Sequence, residues 1–288
     1  MPEVPRRTPA RPAEVAGRGL FSGLPATVRI LPADAGDGIR LRRADSLDSY
    51  PARIDHVFVP QNLPGRNTCL AAADGGSPVL TVEHILSALA GLGVTDAVLE
   101  VDGSEIPIMD GSALAFVEAV RGAGIRELGG SADPLVVSRE IEVRAGESVI
   151  TARPRAAGAA GGAYRYELDY GQGSPIPAQS AAVELGDAGV YEREVAPART
   201  FCLEAEALQM RSIGLFEHLS TRDMLVIGAG GPIDNVLRFA NEPARHKLLD
   251  LIGDLALVGR PIVGEIIARR AGHALNHEMA RSLLKAFG

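Results

Sequence analysis

The segment His246-Lys247-Leu248-Leu249-Asp250 places an imidazole and a carboxylate four residues apart. Residues at this spacing share one face of an α-helix, so both side chains can present a ligand atom to the same metal ion. The spacing also occurs in ordinary hydrogen-bonded surface pairs. Lys247 projects about 100° away from His246 around such a helix. It could offer a positive charge to an oxyanion or a phosphate, or it could be a solvated lysine.

A second signal is Glu83-His84, which opens an apolar helical pattern. Beside apolar neighbours, a buried structural histidine is the simpler interpretation of His84. Together, however, His84, His246 and Asp250 make the set of two histidines and one carboxylate that leaves an open position for water on a catalytic zinc ion. The same ligands could hold Fe(II). Glu83 would then lie beside the ion, where it could take a proton from that water as general base.

His273 follows Gly272 where a loop enters the last predicted helix. This position suits a general acid that protonates a leaving group, although a capping or core histidine is the alternative. Asp254 lies one turn after Asp250 and could hydrogen-bond a catalytic imidazole and keep it protonated. The other three histidines have no acidic or histidine partner assigned at helical spacing, and we expect them to be structural or exposed: His56, His218 and His277.

The composition excludes several classes of protein. A net charge of -7, from 29 basic and 36 acidic residues, argues against a general nucleic-acid-binding protein. The two cysteines, Cys69 and Cys202, cannot form a disulfide framework or a four-thiolate zinc site, so a metal must be held mainly by histidine and carboxylate. No long apolar run or signal peptide is visible, which predicts a soluble cytoplasmic protein without a transmembrane segment. We expect a monomer.

Two similar halves meet at the linker GGSADP, Gly129 to Pro134. In the first half, short strands lead to a helix in VLTVEHILSALAGLGV, a strand in DAVLEVDG and a second helix from about Ser112 to Arg121. In the second half, three strands precede a helix in EPARHKLLDLIGDLAL, a strand in VGEIIARR and a last helix. We predict domains over 15–129 and 134–288 after a flexible N-terminus, 1–14, which is rich in proline and arginine.

An internal repeat relates these halves. A shift of 162 residues places His84 on His246 and Gly91 on Gly253, with the order helix, strand, loop, helix kept. Grouped strands with paired helices, rather than strict alternation, predict an α+β fold of two domains with repeated topology. Each domain is expected to be a β-sheet layered with two helices. The helices of the two domains would pack against each other, and we expect a ligand-binding site at the interface between them.

The chain resembles the zinc-dependent UDP-3-O-acyl-N-acetylglucosamine deacetylases of lipid A biosynthesis. Six motifs stand in that family's order: TVEHILSALAGLGV, EIPIMDGSA, PARTF, IDN, RHKLLDLIGDL and GHALNH. The resemblance implies helices sandwiched between the two sheets. It also implies hydrolysis of the acetamide of a nucleotide-sugar, UDP-3-O-acyl-N-acetylglucosamine, with release of acetate, the committed step of lipid A biosynthesis.

The resemblance assigns the metal and the proton transfers. It implies zinc held by His84, His246 and Asp250, with Glu83 as general base and His273 as general acid.

Four further residues carry family roles. The resemblance implies that Thr200 of PARTF stabilises the oxyanion and that Phe201 contacts the nucleotide-sugar. The resemblance also implies that Lys247 contacts the substrate and the oxyanion. It implies that Asp254 is the partner of the general acid.

The sequence also departs from the family's pattern in the substrate region. GRGLFSG has Phe21 where the family has histidine, and RNTCL has Arg66 and Asn67 where less charged residues are common. The segment 202–232 is longer than expected for an acyl-chain passage, and 236–245 is shorter, as if a hairpin were lost. The alternative function is therefore that of a divergent paralogue that deacetylates another N-acetylated sugar. A non-catalytic binding protein with the same fold is a further alternative, although no predicted ligand, base or acid is missing.

Overall fold

The computed structural model describes residues 3–46, 49–60, 65–73, 76, 78–156, 161–221 and 223–288. Residues 1–2 of the N-terminal segment and position 222 of the segment 202–232 lie outside the described residues. The described residues form six α-helices: α1 (Glu83–Gly91), α2 (Leu114–Ala123), α3 (Ala188–Glu194), α4 (Glu204–Ser212), α5 (Glu242–Leu255) and α6 (His273–Phe287). Two 3-10 helices span Ile54–His56 and Ala256–Val258.

The strands are, in the first half, β1 (Val4–Pro9), β2 (Ala13–Arg18), β3 (Pro25–Pro32), β4 (Ile39–Arg43), β5 (Tyr50–Pro51), β6 (Val57–Phe58), β7 (Cys69–Leu70), β8 (Val79–Leu80), β9 (Ala97–Asp102) and β10 (Ile125–Ala132). They continue with β11 (Leu135–Val136), β12 (Ile141–Ala145), β13 (Ser148–Arg153), β14 (Ala163–Leu168), β15 (Gln179–Glu184), β16 (Phe201–Leu203), β17 (Leu225–Gly228), β18 (Gly231–Pro232), β19 (Ile262–Val263) and β20 (Glu265–Arg269).

Two five-stranded sheets have the same topology. Their strand orders are β2-β3-β9-β4-β5 and β12-β13-β20-β14-β15. In each sheet the central strand, β9 or β20, is antiparallel to one neighbour and parallel to the other. The predicted α+β fold with repeated topology is confirmed.

Helices α1, α2, α5 and α6 lie between the two five-stranded sheets. Helices α1 and α5, which the repeat relates, pack against each other, while α2 contacts β2 and α6 contacts β12. The side chains that alternate along β9 explain this layering, because Ala97, Leu99 and Val101 are fully buried in the common core. Each large apolar side chain buried in this way contributes roughly 1.5–3 kcal/mol to the free energy of folding.

The N-terminal segment differs from the expectation of a flexible 1–14. Val4–Pro9 pair with Ile125–Ala132 in an antiparallel ladder, and the Thr8 hydroxyl accepts the main-chain N–H of Ala33. The ladder has two strands, so the strand is an edge, where prolines that lack an N–H are tolerated. Val4–Pro9 therefore form a paired strand in the described structure. The division into domains over 15–129 and 134–288 stays a prediction.

None of the helices that the structure describes combines the length and the apolar character needed to span a bilayer.

Candidate metal centre and active site

Three predicted ligands meet where α1 crosses α5. His84 lies in the first turn of α1, and His246 and Asp250 lie one turn apart on α5. Asp250 Oδ1 lies 3.3 Å from His246 Nε2 and 3.7 Å from His84 Nε2. The two imidazole rings are perpendicular, with centroids 5.1 Å apart. All three side chains are buried, and one ligand atom from each lies within 4.8 Å of the others.

The chemistry of these donors fits a divalent metal. Asp250 Oδ1 is buried and has no hydrogen-bond partner among the residues that the structure describes, which is costly unless a cation occupies the space beside it. His246 Nδ1 donates to the carbonyl of Ala198 at 3.1 Å, and this leaves Nε2 as the free donor atom. Burial lowers the pKa of His246 to about 3, so its imidazole is neutral, as a metal ligand must be.

Lys247 belongs to the same centre. Its Nζ donates to the second carboxylate oxygen of Asp250, Oδ2, at 2.8 Å and lies 5.8 Å from the centre of the Phe201 ring. Burial by itself lowers the pKa of Lys247, but the Asp250 carboxylate outweighs it, and the pKa lies above its ordinary value. Lys247 is therefore a permanent positive charge beside the ligands.

Glu83 is the first residue of α1 and is almost completely buried. Its Oε2 accepts the main-chain N–H of Thr68 at 3.1 Å. Burial raises the pKa of Glu83, and the imidazoles of His273 and His84 oppose that rise. A carboxylate in this environment accepts a proton more readily than one in water.

His273 and Asp254 form a hydrogen-bonded pair. His273 Nδ1 donates to Asp254 Oδ2 at 2.8 Å, and the Asn276 side-chain amide donates to the same oxygen, also at 2.8 Å. Burial opposes the charged imidazole, but the Asp254 carboxylate raises the pKa of His273 to about 9. His273 Nε2 lies 4.0 Å from Asp250 Oδ2, so the charged imidazole faces the predicted ligands.

One of the three remaining histidines, His277, lies next to the predicted catalytic residues. His277 is buried in the site, with Nε2 2.9 Å from the Thr68 hydroxyl and 3.6 Å from Asp254 Oδ1. It follows His273 by four residues on α6, with ring centroids 6.5 Å apart, but its polar contacts are with Thr68 and Asp254 on other elements. Main-chain carbonyls are the hydrogen-bond partners of the other two, His56 and His218.

Thr68 is a second site residue that sequence reasoning did not single out. Its hydroxyl donates to Asp254 Oδ1 at 2.5 Å. Threonine has no spacing signal of its own, and the contact joins residues that are 186 positions apart.

A small cavity of about 80 Å³ opens onto the centre. Thr200 and Phe201 line it together with Tyr170, which the sequence did not indicate. A larger cavity of about 700 Å³ lies beside the carboxyl ends of α1 and α5 and includes none of the ligands, Glu83 or His273 in its lining. The chemistry is therefore associated with the smaller cavity.

The departures from the family pattern form one apolar wall of this cavity. Phe21 packs against Phe216, with ring centroids 5.4 Å apart, and its main-chain N–H donates to the buried Glu105 carboxylate. Segment 202–232 contributes residues of α4 and β17 and of the loop between them to the apolar cluster behind this wall. Six further residues complete the buried cluster: Leu20, Ile108, Cys202, Met210, Leu219 and Met224.

The two polar departures are held by specific partners. Arg66 forms an ion pair with Glu206 of α4 at 3.1 Å. Asn67 is buried and donates to the Thr81 hydroxyl at 3.1 Å. Residues 236–241 contain no strand and lead directly into α5.

The amino-acid sequence matches a family of known proteins. A family model described as "LpxC: UDP-3-O-acyl N-acetylglycosamine deacetylase" matches residues 6–285. A UDP-3-O-acyl-N-acetylglucosamine deacetylase of Anaeromyxobacter dehalogenans (strain 2CP-C) is 39% identical over 282 residues, which cover 97% of this chain and 87% of that protein.

Two further relatives carry the same name. The protein of Leptospira biflexa is 34% identical over 98% of this chain and 90% of its own length. That of Brucella melitensis biotype 2 is 33% identical over 97% of this chain and 95% of its own. The chain therefore belongs to the LpxC family of deacetylases, which are hydrolases that act on an amide.

Proposed function

We propose that the protein hydrolyses the acetamide of UDP-3-O-acyl-N-acetylglucosamine and releases acetate, the committed step of lipid A biosynthesis. The observation that carries this proposal is the convergence of a buried His2Asp ligand set with a carboxylate and a charged imidazole in one cavity. The names of the relatives, which align with nearly the whole chain, support the substrate.

We assign zinc to the ligand set, with His84, His246 and Asp250 holding it. When bound there, zinc supplies Lewis-acid chemistry, because it lowers the pKa of water and polarises a carbonyl. The same donors accept Fe(II). Metal analysis of the purified protein, with Asp250→Ala as the variant that loses a ligand, distinguishes the two ions and tests the ligand set.

Glu83 is the proposed general base. Its carboxylate lies at the start of α1, directly beside His84, and its buried environment makes it a good proton acceptor. It takes a proton from the water that attacks the acetamide carbonyl. We expect Glu83→Ala to retain metal and to lose most of the acetate release.

Thr200 and Lys247 are the proposed donors to the oxyanion. Both line the cavity, and Lys247 is held charged beside Asp250. Donors aimed at developing charge contribute roughly 10²–10³ in kcat each. Lys247 is also placed to contact the substrate, and Phe201 to pack against the nucleotide-sugar.

His273 is the proposed general acid. Asp254 keeps the imidazole protonated and holds Nδ1, so that Nε2 carries the proton that faces the cavity. That proton passes to the leaving amine when the carbon–nitrogen bond breaks. These side chains come from one chain, which supports a monomeric enzyme; light scattering of the purified protein tests this.

A second candidate is a paralogue that deacetylates another N-acetylated sugar. Phe21 favours it, because an aromatic side chain lies in the apolar wall where the family pattern has histidine. A side-by-side assay of acetate release from acylated and unacylated UDP-sugar decides, with Glu83→Ala as the inactive control. Faster turnover of the unacylated sugar contradicts the lipid A assignment.

A further inference from the structure

Thr68 lies at the interface between the two halves of the chain and is fully buried. Its main-chain N–H donates to Glu83 Oε2 at 3.1 Å, and its carbonyl accepts the N–H of Val82, also at 3.1 Å. These two bonds fix the main chain of Thr68 against the first turn of α1. The carboxylate of Glu83 is thereby tied to the position of this threonine.

The hydroxyl of Thr68 reaches the other half of the chain. It donates to Asp254 Oδ1 on α5 at 2.5 Å, and His277 Nε2 on α6 lies 2.9 Å away. A hydroxyl has a single hydrogen, and a carboxylate can only accept. His277 must therefore donate to the Thr68 oxygen.

The Asp254 carboxylate is bonded at both oxygens. Oδ2 accepts from His273 and Asn276, and Oδ1 accepts from Thr68. The terminal torsion of an aspartate is broad, so bonds to both oxygens constrain it more tightly than bonds to one oxygen alone. The Thr68 hydroxyl adds the bond to Oδ1 and so helps to fix the direction in which Asp254 holds the imidazole.

We propose that Thr68 is a positioning residue that sets the geometry between Glu83 and His273. Its main chain holds the proton acceptor, and its hydroxyl holds the proton donor through Asp254. This inference rests on the proposed function, because it takes Glu83 as base and His273 as acid. Thr68 transfers no proton itself: its main-chain N–H orients Glu83, and its hydroxyl orients His273 through Asp254.

The test compares Thr68→Val, which keeps the shape and removes the hydroxyl, with Thr68→Ser, which keeps the hydroxyl. Misplaced catalytic groups cost up to about 10²-fold in rate, so we expect kcat of Thr68→Val to fall about 10- to 100-fold. KM should stay within about threefold, because substrate binding does not use the hydroxyl. Thr68→Ser should restore most of kcat. Unchanged kcat in Thr68→Val, or equal losses in both variants, overturns the inference.

A matched control is Thr8→Val. Thr8 is also a fully buried threonine, and its hydroxyl accepts the Ala33 N–H at 2.9 Å in a part of the fold outside the site. The Thr8→Val variant should retain the kcat of the natural enzyme. If Thr68→Val fails to fold, Thr68→Ala removes the same hydroxyl with less bulk and is compared in the same way.

Two measurements separate positioning from a general structural role. The first is the double variant Thr68→Val with Asp254→Asn. Because both substitutions act through Asp254, its fold-loss in kcat should be well below the product of the two single fold-losses. A fold-loss equal to that product contradicts the inference.

The second is the NMR signal of the imidazole Nδ1 proton of His273, assigned by its disappearance in Asp254→Asn. This signal should broaden or shift in the metal-free Thr68→Val protein. That NMR signal is independent of turnover. An inactive natural chain therefore rejects the proposed substrate, whereas an unchanged signal in Thr68→Val rejects the role of Thr68.

Discussion

Gly253 lies directly against the main chain of Glu83. A Cβ atom at position 253 would lie 2.0 Å from the Glu83 carbonyl oxygen and 2.8 Å from its carbon. Helices α1 and α5 therefore touch through their backbones at the point where the ligands converge. This close approach brings His84 within reach of Asp250, so the geometry of the centre depends on the absence of a side chain.

Gly253→Ala should separate the two helices. The clash involves main-chain atoms that cannot rotate away, and overpacking of this kind typically costs about 1–3 kcal/mol. We expect a lower free energy of unfolding in urea and reduced metal content and activity. Gly122→Ala is the control, because Gly122 lies in α2 with open space around its Cβ position. That substitution should stabilise by about 0.5–1 kcal/mol. Equal stability of Gly253→Ala and the natural chain would contradict the packing argument.

Lys247→Met should keep the stem of the side chain and remove its charge. Because Lys247 is held beside Asp250 at the cavity, we expect kcat/KM for the UDP-sugar to fall by about 10²-fold. Metal content should persist, since the ligands are unchanged. Lys285→Met, an exposed position near the end of α6, serves as the control for lost charge. Steady-state assays measure kcat/KM of both variants. Similar losses of kcat/KM in the two variants would refute the assigned role of Lys247.

The alkaline limb of the pH–rate profile should depend on Asp254. His273 must be protonated to act as an acid, and the Asp254 carboxylate raises its pKa to about 9. Activity should therefore fall as pH rises through this value. In Asp254→Asn the negative charge that most raises the pKa of His273 is gone, so this pKa falls and the limb should move to lower pH. Profiles of kcat/KM between pH 5 and pH 10 measure the shift. A limb that stays in place would mean that another group supplies the proton.

The buried ion pair between Arg199 and Glu242 should be important for stability. Arg199 Nε lies 2.8 Å from Glu242 Oε1, with side-chain exposures of 8% and 0%. Arg199→Met leaves the carboxylate buried without its partner, which costs about 3–5 kcal/mol. Urea denaturation should show this loss. Arg144→Met breaks an exposed pair with Glu142 and should change the free energy of unfolding by less than about 1 kcal/mol.

Local spacing predicted the parts of the site that lie on one element. His246 and Asp250 were visible as an i, i+4 pair, and α1 and α5 followed from apolar periodicity and the repeat. His277 stands at the same spacing from His273, but its contacts with Thr68 and Asp254 join different elements and had no local pattern. The helix-to-helix contact through Gly253 was not predictable, because it depends on how two segments pack.

Other features had no pattern to detect. The hydrogen bonds of Thr68 join a loop to three helices, and one of them uses the main chain, which any residue possesses. Strand β1 was missed because proline and arginine suggested fraying, whereas pairing with β10 holds it in place. The wall around Phe21 combines short elements of segment 202–232 that lack a clear period.

The two helices that the repeat relates do not carry the same ligands. His84 and His246 are equivalent, but the position equivalent to Asp250 in the first copy is Ala88. Neither copy alone has a full ligand set, so an ion bound by all three side chains bridges the copies like a non-covalent cross-link. Metal affinity and the association of the copies are then thermodynamically linked, and weakening one must weaken the other.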